Sequence, residues 1–536
     1  INYSFFSDMS DWNPAEIIGN NPNVLDYSLY HKIIMKNAWH IGRAKIGYQK
    51  NIDHPLMTKF GNKPYVDIRA SFYSLIPNNI KKKYKIKLMK FYCNKLLDSP
   101  YLHDKVEFEI LFTCFDYKMK NRLNELLKNN FTKNEIKEIE ENLIEFTNNI
   151  INEFPEIKNN CEKSIKKMKI KREEIVKKSS QISHSKQIED IKKLLDDCKN
   201  LGTIPFSIYA RHAFIAKKFF NSLVNENLIS NKTYSKLLNS IGTMTNEYIK
   251  LKKKSKKDVK YKKNFYNHFF HLRPGTYDIN INRYNVKISD YKINDMSLIF
   301  TKKDNYYIFS KAENHKLDKF FKNHSLDFNQ NHLLKYFLTS IKMRENSKFI
   351  FTRALSDLME ILKKFGDKYD INKKRLSKLS LNNVLNLDHK NKAKLMKIIK
   401  KNESQNQINN MIKLPYLITT KDDFFISSIL LSKPNFITKK IVKGNILKME
   451  EGRVYKNISN KIILIEKADP GFDWIFSKKI KGLITKYGGV NSHMSIRCEE
   501  LNVPAAIGIG EDNFYNIKNY SSIILNCKNE QFIEGN

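Results

Sequence analysis

The chain has 536 residues, enough for several domains, and carries 95 Lys and Arg against 56 Asp and Glu for a formal net charge of +39. No apolar run is long enough to span a bilayer and no signal-peptide pattern opens the sequence, so no membrane partner is expected and a cytoplasmic location is. Cys93, Cys114, Cys161, Cys198, Cys498 and Cys527 show no C-x-x-C spacing and no Cys/His cluster, which argues against a zinc site and fits a reduced compartment. The basic charge is spread along a Lys-, Asn- and Ile-rich chain that has no aromatic-glycine binding motif. It is therefore compositional bias, nucleic acid is not expected as a partner, and anionic small molecules such as nucleotides suit it.

In chain order, Ser10 to Gly19 reads as a turn feeding a short helix, with Pro14 at a first helical position. Residues 28–40 have helical periodicity. Residues 64–74, PYVDIRASFYS, alternate apolar and polar side chains like a strand, which would put Asp67 and Arg69 on one face. Residues 91–265 read as mainly helical, with helices predicted over 105–117, 133–154 and 186–201. The charge-rich stretch 163–177 suggests an exposed or paired helix within a helical hairpin at about 132–200. The lysine run 251–263 reads as a solvated face.

The segment FFHLRPGTYDININRY, residues 269–284, brings His271, Arg273, Asp278 and Arg283 together around an Arg-Pro-Gly turn. A cation, an imidazole and a carboxylate in a short irregular stretch suit phosphate or substrate handling. The same residues equally serve to stabilise a turn. Residues 340–365 predict a long helix on which Arg344, Glu345 and Lys348 share a face. Residues 370–409 suggest short helices, and 414–430 two strand-like runs. Lys433-Pro434-Asn435 marks a boundary, with strands over 436–449 and 461–466 after it.

The most informative stretch is KGLITKYGGVNSHMSIRCEELNVPAAIGIG, residues 481–510. Leu483-Ile484-Thr485 is a buried strand. Gly488-Gly489 turns the chain, Asn491 and Ser492 suit an N-cap, and a helix is predicted over 492–501 before Pro504. A second strand is predicted over 503–509, and residues 523–526 close the sheet. His493 thus stands in the first turn of a helix, where free N–H groups and the helix dipole favour a phosphate, with Arg497 one turn on. A histidine that merely caps a helix has the same spacing.

The run from Gly488 and Gly489 through Ser492, His493, Ile496, Arg497 and Glu499 to Pro504, Ala505 and Gly508 resembles the phosphohistidine motif of the PEP-utilising enzyme superfamily. Asn491 and Met494 depart from the usual Thr and Ala or Gly, and Cys498 is expected to pack rather than react. SDWNPAEIIG, YVDIRASFYSLIP, LHDKVEFEI, HLRPGTYDI and ADPGFDWIF are similar to a PEP-synthase-related, rifampin-phosphotransferase-like branch. The resemblance implies a mainly helical α+β body over 1–430 holding the acceptor, a hinge at 431–435, and a swivelling α/β phosphohistidine domain over 436–536.

The same resemblance implies a phosphotransferase that passes a phosphoryl group from a nucleotide or PEP through His493 to an unidentified small-molecule acceptor. Arg497, Gly488, Gly489 and Ser492 would bind phosphate, and His271, Arg273, Asp278 and Arg283 would line the acceptor cleft. Mg²⁺ and ATP are implied cofactors, held mainly by an ATP-grasp domain supplied in cis or in trans. The sequence starts at Ile1, so a truncated N-terminus is one expectation, and too few residues come after Gly510 for a PEP-binding barrel. The alternatives are a phosphocarrier serving a protein partner and a basic nucleic-acid-binding protein with a degenerate histidine domain. A functional carrier also predicts that His493 is exposed or faces a cleft.

Overall fold

The computed structural model describes residues 5–535 except 10, 11, 13, 51, 53, 118, 179–182, 242–250, 252, 253, 255–260, 262–264, 266, 274, 275, 284–308, 413, 426–432, 451–454, 456, 469 and 491. Pro274 and Gly275, Asn491, most of the lysine run 251–263 and the first two residues of the expected hinge lie outside the described residues.

Helices dominate up to about residue 411. Two of them form the spine, because their apolar positions recur at helical spacing and leave stripes to be buried. These are the helix Ile204–Asn225 and the helix Gln330–Asp367, which pack along one another. The predicted hairpin region forms the helices Lys133–Asn152, capped by a Thr132/Glu135 box, and Phe154–Lys178. The charge-rich second helix is packed into the body: Met168 is fully buried, and Arg172 pairs with Asp357 of the spine at 2.5 Å. A small antiparallel sheet, in the order β2 (Met57–Phe60), β3 (Lys63–Asp67), β1 (Phe6–Asp8), β4 (Leu417–Ile418), ties the start of the chain to the end of the body.

Two local expectations fail for identifiable reasons. The strand over 64–74 stops at Asp67, whose carboxylate caps the helix Ile68–Tyr73 by accepting from the N–H groups of Arg69 and Ala70 at 3.0 and 3.1 Å. Capping by Asp overrides the alternation, so Asp67 and Arg69 do not share a strand face. The helix over 105–117 shrinks to Val106–Glu109. The chain beyond it is buried and irregular, because side chains satisfy its backbone: the Tyr92 hydroxyl accepts from Phe112 N, Thr147 Oγ1 accepts from Phe115 N, and the Tyr48 hydroxyl donates to Thr113 O.

From Asn435 the architecture changes to α/β. Seven strands form one sheet in the order β11 (Gln531–Glu534), β10 (Ser522–Asn526), β6 (Ile441–Lys448), β7 (Ile462–Lys467), β8 (Gly482–Tyr487), β9 (Ala505–Ile507), β5 (Asn435–Ile437). The four central strands β6 to β9 are parallel and the flanking ones antiparallel. Alternate side chains of β7 feed two apolar layers, Ile463 and Ile465 on one face and Ile462 and Leu464 on the other, so both faces are covered. Every residue in these two clusters comes from the C-terminal unit, and every residue in the two body clusters comes from the body. Each unit therefore has its own core.

Candidate functional site

His493 opens the helix α1 (His493–Glu500) at the end of β8. Gly488 makes the turn with φ +137°, and a Cβ there would fall 2.5 Å from that of Ala468, so both conformation and space demand glycine. Gly489 O accepts from Ser492 N at 2.9 Å, and Ser492 Oγ accepts from Ser495 N at 3.2 Å as the N-cap. The hydroxyl assigned to phosphate thus serves the helix start. Cys498 is fully buried among apolar neighbours, as its packing role requires.

The body completes the surroundings of His493. Its backbone N–H donates to Glu16 Oε1 at 2.6 Å, and its Nδ1 lies 3.7 Å from Glu345 Oε2. Glu16 also pairs with Lys348 through its other oxygen. A carboxylate therefore occupies the helix N-terminus at the place where the sequence leads one to expect a phosphate. Arg344 and Lys348 join Glu16 around an adjoining cavity of about 10 Å³, with room for one water, whose walls include Trp39, Phe206 and Phe351.

These contacts bury His493 to 6% exposure, which corrects the expectation of an exposed imidazole. The physical reason is docking: Glu345 beside Nδ1 and Glu16 at the backbone N–H belong to the other unit. Burial pushes the Glu345 carboxyl up, but the opposing charges of His493, Arg344, Arg497 and Lys348 bring it below the ordinary carboxylate range. Glu500 goes the other way, raised by burial and by Glu345 against the pull of Arg497. Arg497 is buried and its Nη1 pairs with Glu500 Oε2 of its own helix at 2.5 Å.

Further polar contacts surround the junction. Lys217 pairs with Glu499 at 2.7 Å, and Asn435, at the end of the expected hinge, donates to Asp104 Oδ2 at 2.9 Å.

The four residues assigned to an acceptor cleft do not act alike. Arg273 is buried, pairs with Glu360 at 2.8 Å and donates to backbone carbonyls of its own loop. Asp278 accepts from Asn23 Nδ2 at 3.0 Å and from Asn280 N at 2.7 Å. Both hold the loop together, the plainer of the two readings that their sequence allowed. Arg283 pairs with Asp357. His271 is fully buried against Phe349, with ring centroids 4.6 Å apart, and neither ring nitrogen has a hydrogen-bond partner.

Glu16, Glu345 and Lys348 do not stand out as site residues in the sequence. The shared helical face of Arg344, Glu345 and Lys348 was the available signal; for Glu16 there was only the SDWNPAEIIG run. Among the described residues, no group of three or more His, Cys, Asp or Glu side chains is arranged to hold a metal ion, and no helix is long and apolar enough to cross a membrane.

Residues 458–530 match the family model of the PEP-utilising enzyme mobile domain. The match supports the superfamily for this segment and suggests phosphohistidine-based phosphotransfer in general terms. No curated protein matches the chain.

Proposed function

We propose that this chain is a phosphotransferase portion of PEP-synthase-like or rifampin-phosphotransferase-like kind. Its C-terminal unit would carry a phosphoryl group on His493 from a nucleotide or PEP to an acceptor held by the helical body. The observation that carries this reading is a helix-start histidine inserted, from a separately cored unit, into a charged recess of another, beside Glu16, Glu345 and Lys348.

Glu345 lies on the Nδ1 side of the ring, which favours a proton on Nδ1 and leaves Nε2 as the nucleophile. In the first step Nε2 bonds to phosphorus as the donor's P–O bond breaks. In the second an acceptor oxygen bonds to phosphorus as the N–P bond breaks. Lys348, Arg344 and Arg497 supply positive charge for the phosphoryl oxygens, Arg497 by leaving Glu500. Gly488, Gly489 and Ser492 hold the imidazole at the helix start. With His493 only 6% exposed in the docked arrangement, the acceptor enters when the unit lifts. That motion requires a hinge, and 431–435 is where this reading puts it. Mg²⁺ and ATP would belong to the donor side of the first step.

The test is transfer of label from ATP or PEP to the chain, alone and with a nucleotide-binding partner. Acid-labile phosphate is expected on His493, and His493→Ala and His493→Asn should abolish it. Label that survives either substitution would overturn the assignment.

A further inference from the structure

Glu16 is the body residue that meets α1 at its start. Its side chain is only 7% exposed, and its two oxygens are divided: Oε1 accepts from His493 N at 2.6 Å, and Oε2 pairs with Lys348. The positive end of a helix and a shielded lysine are both attractive to a phosphoryl group. Here one carboxylate engages both. Glu345, its side chain 11% exposed, stands 3.7 Å from Nδ1 of the same histidine. Two carboxylates of one unit thus bracket a single residue of the other.

The charges at this junction are matched while the imidazole is neutral. Glu16 pairs with Lys348, Glu499 with Lys217 and Glu500 with Arg497, and Glu345 feels the charge of Arg344. A phosphoryl group on His493 adds nearly two negative charges next to Glu16 and Glu345. Like charges repel strongly at a site shielded from water. To be accommodated, the group must take Lys348 from the carboxylate that now holds it.

We propose that Glu16 is the residue by which the body tells the empty carrier from the loaded one: it holds His493 when the ring bears no phosphoryl group and repels it when it does. The assignment of empty and loaded states rests on the carrier reading above; the charge discrimination does not. Its consequence is direction. A body that binds the empty unit more tightly than the loaded one favours unloading by the same factor, because the two preferences are linked. Glu16 is then a positioning residue that never touches the reacting atoms.

The experiment is amide exchange at position 493 in four full chains: His493→Asn and His493→Asp, each with Glu16 intact and each with Glu16→Gln. Asn and Asp share a shape, so the pair differs by one negative charge and needs no phosphoryl donor. An acid at a helix start strengthens the helix by itself, so faster exchange with His493→Asp reports undocking and not fraying. With Glu16 intact, His493→Asp should exchange about tenfold or more faster than His493→Asn. With Glu16→Gln the two should agree within about threefold. Glu16 loses this role if the two exchange alike while it is intact, if the excess survives Glu16→Gln undiminished, or if the helical body loses protection to the same degree as position 493. If all four chains behave as expected while neither ATP nor PEP labels His493 in the parent, the charge discrimination stands and the carrier reading fails. If His493 takes label but exchange ignores the charge, the carrier reading stands and the role of Glu16 fails.

Discussion

His212 and His493 are both shielded from water, His212 fully and His493 to 6% exposure, yet the groups that shield them come from different places. His212 sits inside the helical body, bonded to the Tyr336 hydroxyl at 3.1 Å and packed against Phe154. Burial, helped by Arg211, pushes its pKa down to about 3. Its cover is the core of its own unit, so exposing it means unfolding that core. His493 meets Glu16 at its backbone N–H and Glu345 at its ring, both of the other unit, while the two units keep separate apolar clusters. A polar junction can open while both cores stay intact. Burial alone does not separate a structural histidine from a working one; the origin of the burial does.

Reversing a charge should break the comparison most strongly. Glu345→Lys places a cation against Arg344, Lys348 and His493. Breaking a buried pair costs about 3–5 kcal/mol, so release of the C-terminal unit by roughly a hundredfold or more is expected. Diethyl pyrocarbonate labelling, mapped by mass spectrometry, should speed up at His493 and stay unchanged at His212. Equal rates at His493 in parent and variant would deny Glu345 its part in docking.

Gly488→Ala acts inside the C-terminal unit. Positive φ on a side-chain-bearing residue costs about 1–3 kcal/mol, and the clash with Ala468 adds to it. Amide exchange should rise over β8, α1 and β9 while the helical body keeps its protection. If the loss of protection reaches the body to the same degree, the two cores are not separate.

Acid gives the mildest perturbation. The Glu345 pKa in the folded chain lies below its ordinary 4.5, so its contribution to docking is full above about that pH and is lost as pH falls through the lowered value. Exchange of the His493 amide, corrected for intrinsic pH dependence, should increase over that range. A corrected rate that stays flat there would show that Glu345 is not the group holding the junction.

The C-terminal unit was the legible part of the sequence because its signals are local. Gly488, Ser492 and Pro504 punctuate a strand, helix and strand within about two dozen residues, and the helix ends within one residue of expectation at each side. The strand expected over 436–449 nonetheless divides at Thr438, which takes φ +72°. What the sequence concealed is what lies far apart along it. Glu16 and His493 meet across nearly the whole chain, and no periodicity relates them. The body was harder for a second reason: Asp67 could be read as a strand residue or a cap, and residues 110–116 are apolar enough for a helix yet are held irregular by Tyr48, Tyr92 and Thr147. In the 271–283 loop, residues that hold the turn and a histidine that does not look alike in sequence; only the bonding partners distinguish Arg273 and Asp278 from His271.

The central claim is that His493 is hidden by docking and not by a core. The direct measurement is the rate of diethyl pyrocarbonate modification at His493 and His212 in the unaltered chain. If docking hides it, His493 reacts well ahead of His212, with His212 protected until global unfolding. If both histidines stay equally protected and yield together on unfolding, His493 is a core residue and the carrier account is wrong.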